Sequence, residues 1–81
     1  MRHKMNKTTR KEIDDLIAQL ETIKEQLETI RDNEQEKYDN MPEGLQESEI
    51  GEAMSSAIDN LDYAMDSIEE VTNYLEEAKG E

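Results

Sequence analysis

Eighty-one residues, 33% of them apolar and none of them Phe, Trp or Cys, exclude a domain built on a large aromatic core or on disulfides. A chain this short then needs oligomerisation or a metal to offset an ordering cost of roughly 1.5 kcal/mol per residue, and the only His is His3, in a polar amino-terminal stretch. With 22 acids against nine bases the net charge is −13, which repels nucleic acid and anionic membrane and attracts basic proteins.

Residues 1–8 lack hydrophobic periodicity and read as a basic flexible tail. Arg2, Lys4, Lys7, Arg10 and Lys11 all precede the first acid, Glu12. From Glu12 onward four bases (Lys24, Arg31, Lys37 and Lys79) stand against 22 acids, a net of −18. Thr9 and Glu12 have capping-box spacing, so the first helix is expected from about residue 9. No apolar run reaches the ~18 residues of a membrane span and no apolar secretory segment is present, so a cytoplasmic location is expected.

In the first helix Ile13, Leu16, Ile17, Leu20, Ile23, Leu27 and Ile30 recur at spacings of three and four, the mark of one helical face. With Ile13 at heptad position a, the pairs Ile13/Leu16, Leu20/Ile23 and Leu27/Ile30 fill three a/d sets. Leu20-Glu21-Thr22-Ile23 returns seven residues later as Leu27-Glu28-Thr29-Ile30. The seam turns polar at Glu34, and the helix is expected to end near residue 38.

Residues 39–48 hold the only Pro, Pro42, and Gly44. Pro42 biases Met41 away from helical angles, so the chain reverses here. The second helix can start just after Pro42 or at Ser48 as N-cap; the Ser48 start gives a helix over about 49–79, with Glu49 and Glu52 near the positive end of the dipole. Met54, Leu61, Ile68 and Leu75 take position a; Ile50, Ala57, Ala64, Val71 and Ala78 take d; Ile58, Met65 and Thr72 take e. Positions b, c and f carry Asp59, Asp62, Asp66, Glu69, Glu70, Glu76 and Glu77.

Two helices of similar length joined by a short turn predict an all-α, antiparallel, coiled-coil-like hairpin over residues 9–79. Seam matching pairs residues whose numbers add to about 88, so that Leu27 meets Leu61 and Leu20 meets Ile68. The apolar stripe of the second helix is wider than one partner covers, and the small d residues Ala57, Ala64 and Ala78 admit close backbone approach. The wide stripe predicts self-association into a four-helix bundle, as a homodimer or a higher even oligomer, and the pattern leaves open which helix uses the alanine row. Its core is expected to include Leu20, Ile23, Leu27, Ile30, Ile58, Leu61, Met65 and Ile68.

The residues for catalysis are missing. There is no Cys, no His on either helix, and no base near Ser55, Ser56 or Ser67 in the pattern. Asp32, Glu34 and Glu36 alternate like calcium ligands, but Lys37 stands where the loop needs Gly. No enzyme activity, cofactor or metal is therefore expected. Glu34, on the apolar seam, is expected to snorkel or to pair with Lys37 or Arg31, or else to mark a partner-binding notch. Tyr38, Met41 and Leu45 either seal the turn end or form a recognition loop, and Tyr63 and Tyr74 fall at outer positions suited to protein contacts.

The run Asp39-Asn40-Met41-Pro42-Glu43-Gly44-Leu45-Gln46-Glu47-Ser48-Glu49, followed by an Ala-containing acidic helix, resembles small acidic helical-hairpin proteins of Gram-positive phages and prophages. The resemblance covers most of residues 12–81, implies a hairpin in a phage or mobile-element setting and thus a host cytoplasm, and carries over no catalytic residue. Together with the acidic body it suggests a protein-interaction module, an inhibitor that binds a basic, nucleic-acid-binding host protein by charge mimicry. Asp59, Asp62, Asp66, Glu69, Glu70, Tyr38, Met41 and Tyr63 are the candidate partner-binding residues. The alternatives are a purely structural homo-oligomer and a sponge for anionic nucleotides, whose bases would come from the tail, Lys24 and Arg31.

Overall fold

The structure, a computed structural model, describes residues 5–80. Helix α1 spans Lys7–Asp39, the single turn α2 spans Glu43–Gln46, and α3 spans Glu49–Lys79. The long helices pack antiparallel as a hairpin, in an envelope of 62 × 21 × 12 Å. Residues 1–4 of the expected tail and residue 81 lie outside the described residues.

The start of α1 differs from the expectation at Thr9. Asn6 is the N-cap, and its Oδ1 accepts a hydrogen bond from the Thr9 backbone N–H at 2.8 Å. Asn competes well for this position because its short side chain reaches the third helical N–H. The helix therefore begins two residues earlier and takes in Lys7, Arg10 and Lys11, with no acid in its first turn.

The reversal is more ordered than a loop. Both sequence signals for a helix start operate, since α2 begins after Pro42 and α3 after Ser48, whose hydroxyl accepts from Gly51 N–H. Gln46 Nε2 donates to the Tyr38 carbonyl at 2.7 Å and ties α2 back to the end of α1. Glu49 and Glu52 lie in the first turn of α3 and Lys79 in its last, each with the sign the helix dipole favours.

Between the helices the inward positions are a and e. On α1, half-buried Ile13, Ile17, Leu20, Lys24, Leu27, Arg31, Glu34 and Tyr38 follow that alternation. On α3 it is followed by Met54, Ile58, Leu61, Met65, Ile68, Thr72, Leu75 and Lys79. The a/d pairing expected for α1 is corrected, because Leu16, Ile23 and Ile30 at d are 48%, 43% and 50% exposed. The reason lies at position e, where Ile17 is apolar and Lys24 and Arg31 cover the seam with their aliphatic stems while their charged heads reach acids.

Among the described residues three ion pairs cross the hairpin: Arg31 Nε to Asp62 Oδ1 at 2.9 Å, Lys24 Nζ to Glu69 Oε2 at 3.5 Å, and Lys79 Nζ to Asp14 Oδ1 at 2.6 Å. Each pair joins an e residue to a b residue, four and one places beyond an a/a couple whose numbers add to 88 (Leu27/Leu61, Leu20/Ile68 and Ile13/Leu75), so the ion pairs fall in the register that seam matching gave.

Candidate protein-interaction faces

The hairpin buries little of its apolar surface. Among the described residues Ile58, 5% exposed, is the one buried apolar side chain. The expected oligomer core accordingly divides. Leu20, Leu27, Ile58, Leu61, Met65 and Ile68 line the seam inside one chain, whereas Ile23 and Ile30 point away from it.

Because α1 and α3 are antiparallel and share an a/e seam, their d positions flank that seam on one side and their b positions on the other. The d side holds Leu16, Ile23 and Ile30 from α1 and Ile50, Ala57, Ala64, Val71 and Ala78 from α3. Position g, next to d, holds Gln19, Gln26 and Asn33 on α1 and Ala53, Asn60, Ser67 and Tyr74 on α3. Neither position carries a charge from Leu16 to Asn33 or from Ile50 to Ala78, although 38% of the chain is charged. An uncharged face of this length on such a chain is a sequence property that seam assignment at a/d conceals. Ile17 at position e was the signal that could have exposed it.

On the opposite side the expected partner-binding acids also divide. Asp62 and Glu69 are engaged by Arg31 and Lys24 across the hairpin. The hydrogen bond that Arg31 donates to Asp62 holds the guanidinium pKa above its ordinary value, against a smaller opposing effect of burial. Asp59, Asp66 and Glu70 are exposed, and no cation among the described residues pairs with them. Of these three, Glu70 borders an open hollow of about 610 Å³, lined also by Asn73, Tyr74, Glu76 and Glu77.

Tyr63 and Tyr74 are 65% and 69% exposed, as their outer positions predict. Tyr38 and Met41 are half-buried, and the Tyr38 carbonyl accepts from both Met41 N–H and Gln46 Nε2. These two residues therefore brace the turn, and of the three turn residues Leu45 is the more open, at 46%. Glu34 pairs with Lys37 at 3.0 Å, one of the two partners expected for it. No described helix is long and apolar enough to cross a membrane.

Comparison of the chain with protein-family models, with curated proteins and with solved structures gives no match. Its functional reading therefore rests on the chain's own two faces.

Proposed function

We propose that this chain is a non-enzymatic protein-interaction module, which self-associates through its uncharged face into a four-helix bundle and binds a basic protein with its outer carboxylates. The observation that carries this reading is the segregation of charge. Acids occupy b, c and f, while d and g along most of both helices are neutral or apolar.

Two physical effects support the division of labour. A face with Leu16, Ile23, Ile30, Ile50 and Val71 turned to water gains free energy when covered, at about 25 cal/mol per Å² of apolar surface. Carboxylates fixed on a helix present charge at set intervals, and Asp59 and Asp66 stand two turns apart, roughly 10 Å along the axis. A basic surface meeting Asp59, Asp66 and Glu70 gains mostly in association rate and specificity. The phage-inhibitor version rests on the resemblance of the turn and on this acidic row.

The test is binding of a cationic nucleic-acid-binding protein at low and high salt, with the wild type and with Asp59→Lys, Asp66→Lys and Glu70→Lys combined. Salt-sensitive binding that the triple variant loses supports the reading. Binding that the reversal leaves unchanged removes the charge-mimic role.

A purely structural homo-oligomer is the second reading, favoured by the engagement of Asp62 and Glu69 inside the hairpin. The nucleotide sponge has less support, because Lys24 and Arg31 are held by those same acids.

A further inference from the structure

The uncharged face, the unequal ends of the rod and the side-chain sizes along d together constrain how a second copy would sit. Two hairpins packed face to face with two-fold symmetry have two options. With the axis along the helices both copies point the same way, and α1 lies on the partner's α3. With the axis across the helices the ends are exchanged, so that α1 lies on the partner's α1 and α3 on the partner's α3.

We infer that the uncharged d/g face seats a second copy of this chain with its ends exchanged; this rests on the self-association proposed above.

The ends choose between the two options. The open end of α1 carries Lys7, Arg10 and Lys11 with no acid in the first turn. The turn end carries Glu36, Asp39, Glu43, Glu47, Glu49 and Glu52. Copies pointing the same way would stack the two acidic turn ends on each other, with Lys7, Arg10 and Lys11 beside Glu76 and Glu77 of the partner subunit's α3. Exchanged ends bring Lys7, Arg10 and Lys11 beside the carboxyl-terminal end of the partner's α1, where acids and the negative pole of a helix both favour them. Without a partner those bases lie at the positive pole of their own helix.

Side-chain size fits the same arrangement. Residue 23 is the midpoint of α1 and residue 64 the midpoint of α3, so each d row can pair with itself in reverse. Leu16 then approaches the partner subunit's Ile30, and Ala57 the partner subunit's Val71. The alanines at 57, 64 and 78 let α3 approach its mate closely, and Gln19, Gln26, Asn33, Asn60 and Ser67 rim the contact without charge.

The area is of the right order as well. The uncharged stretch runs about 26 Å along α1 and about 42 Å along α3 at 1.5 Å per residue, and across a width of 21 Å it offers several hundred Å² per protomer, close to the ~800 Å² per partner of a standard stable interface.

The experiment uses Glu77→Cys, an outward position in a chain with no native Cys, carrying a spin label. Molecular mass is measured by sedimentation equilibrium and the label-to-label distance by pulsed dipolar spectroscopy. The expected result is a dimer with labels roughly 40 Å or more apart, since residue 77 lies 13 residues from the midpoint of α3 at 1.5 Å each. A dimer with labels well under 30 Å apart overturns the exchanged ends but keeps the self-association. A monomer at all concentrations overturns both. As a second arm, Ile23→Asp is expected to weaken dimerisation at least 100-fold, and an unchanged dimerisation constant shows that another face is used.

Discussion

Gly51 lies against the backbone carbonyl oxygen of Gln46 so closely that a methyl group at residue 51 would overlap it. The crowding comes from α2, whose last turn leans on the first turn of α3. Gly51 has no positive φ, so its requirement is space and owes nothing to backbone conformation.

A pair of alanine substitutions separates these effects. Ala is favoured over Gly inside a helix by about 1 kcal/mol, whereas forced overpacking costs about 1–3 kcal/mol. Gly51→Ala is therefore expected to be neutral to destabilising by about 2 kcal/mol, with loss of the α2 contacts. Gly44→Ala, which meets nothing within 4 Å, is expected to gain about 0.5–1 kcal/mol. Urea unfolding of the two variants checks the order, and a Gly51→Ala protein as stabilised as Gly44→Ala contradicts the packing of α2.

Asn6 and Thr9 make a second discriminating pair. Removing the N-cap with Asn6→Ala is expected to cost about 1 kcal/mol and to fray the first turn. Thr9→Ala keeps the backbone N–H that Asn6 accepts from and is expected to cost less. Amide exchange at residues 8–10 reads this out, and equal effects of the two substitutions would favour the capping box at Thr9.

Ile58 should be the most sensitive apolar position. Its truncation to Ala is expected to cost about 2–4 kcal/mol and to Val about 1, more than the same change at half-exposed Ile23 costs a monomer. Measurement at the lowest workable concentration isolates the hairpin. A larger loss at Ile23 under those conditions would place the seam at d.

Lys79 gives a pH signature. The hydrogen bond to Asp14 is the main effect raising the Lys79 ammonium pKa above its ordinary value, opposed in part by burial. A raised folded-state pKa means the pairing stabilises fully below the ordinary lysine value of about 10.4 and is lost as pH rises through the higher folded value. Melting temperature should therefore fall more steeply above pH ~10 in the wild type than in Lys79→Met. Parallel curves would show that the pair contributes nothing.

The cross-hairpin pairs should differ in worth. Arg31→Met leaves the Asp62 carboxylate without its 2.9 Å partner, whereas Lys24→Met removes a 3.5 Å contact to a largely exposed Glu69. The first is expected to lower the melting temperature and the second to leave it nearly unchanged, consistent with the small value of exposed ion pairs. Sensitivity to Lys24 as large as to Arg31 would contradict that ranking.

Much of the fold was legible because two long segments with helical period and one proline-marked turn allow few arrangements. Ser48 was readable as a cap since no stronger candidate stands nearby. Thr9 misled because Asn6, three residues earlier, offers a competing cap that only the backbone geometry selects. The split of apolar residues between the seam and the outer face was hidden for a different reason. Lys24 and Arg31 look like solvent-facing residues in a pattern, yet each has a stem long enough to close an apolar seam. Likewise, Asp62 and Glu69 look identical to Asp59 and Asp66 until the bases opposite them are placed.

The elongation of the hairpin bears on how its size will register in solution. A radius of gyration of 18.3 Å exceeds the roughly 12 Å of a compact chain of this length, so a lone hairpin drags through solvent like a heavier sphere. Side-by-side pairing thickens the rod while leaving its length nearly constant, so the friction coefficient grows far less than the mass. The paired form should therefore elute only slightly ahead of the single hairpin on a sizing column, and the frictional ratio should fall on association.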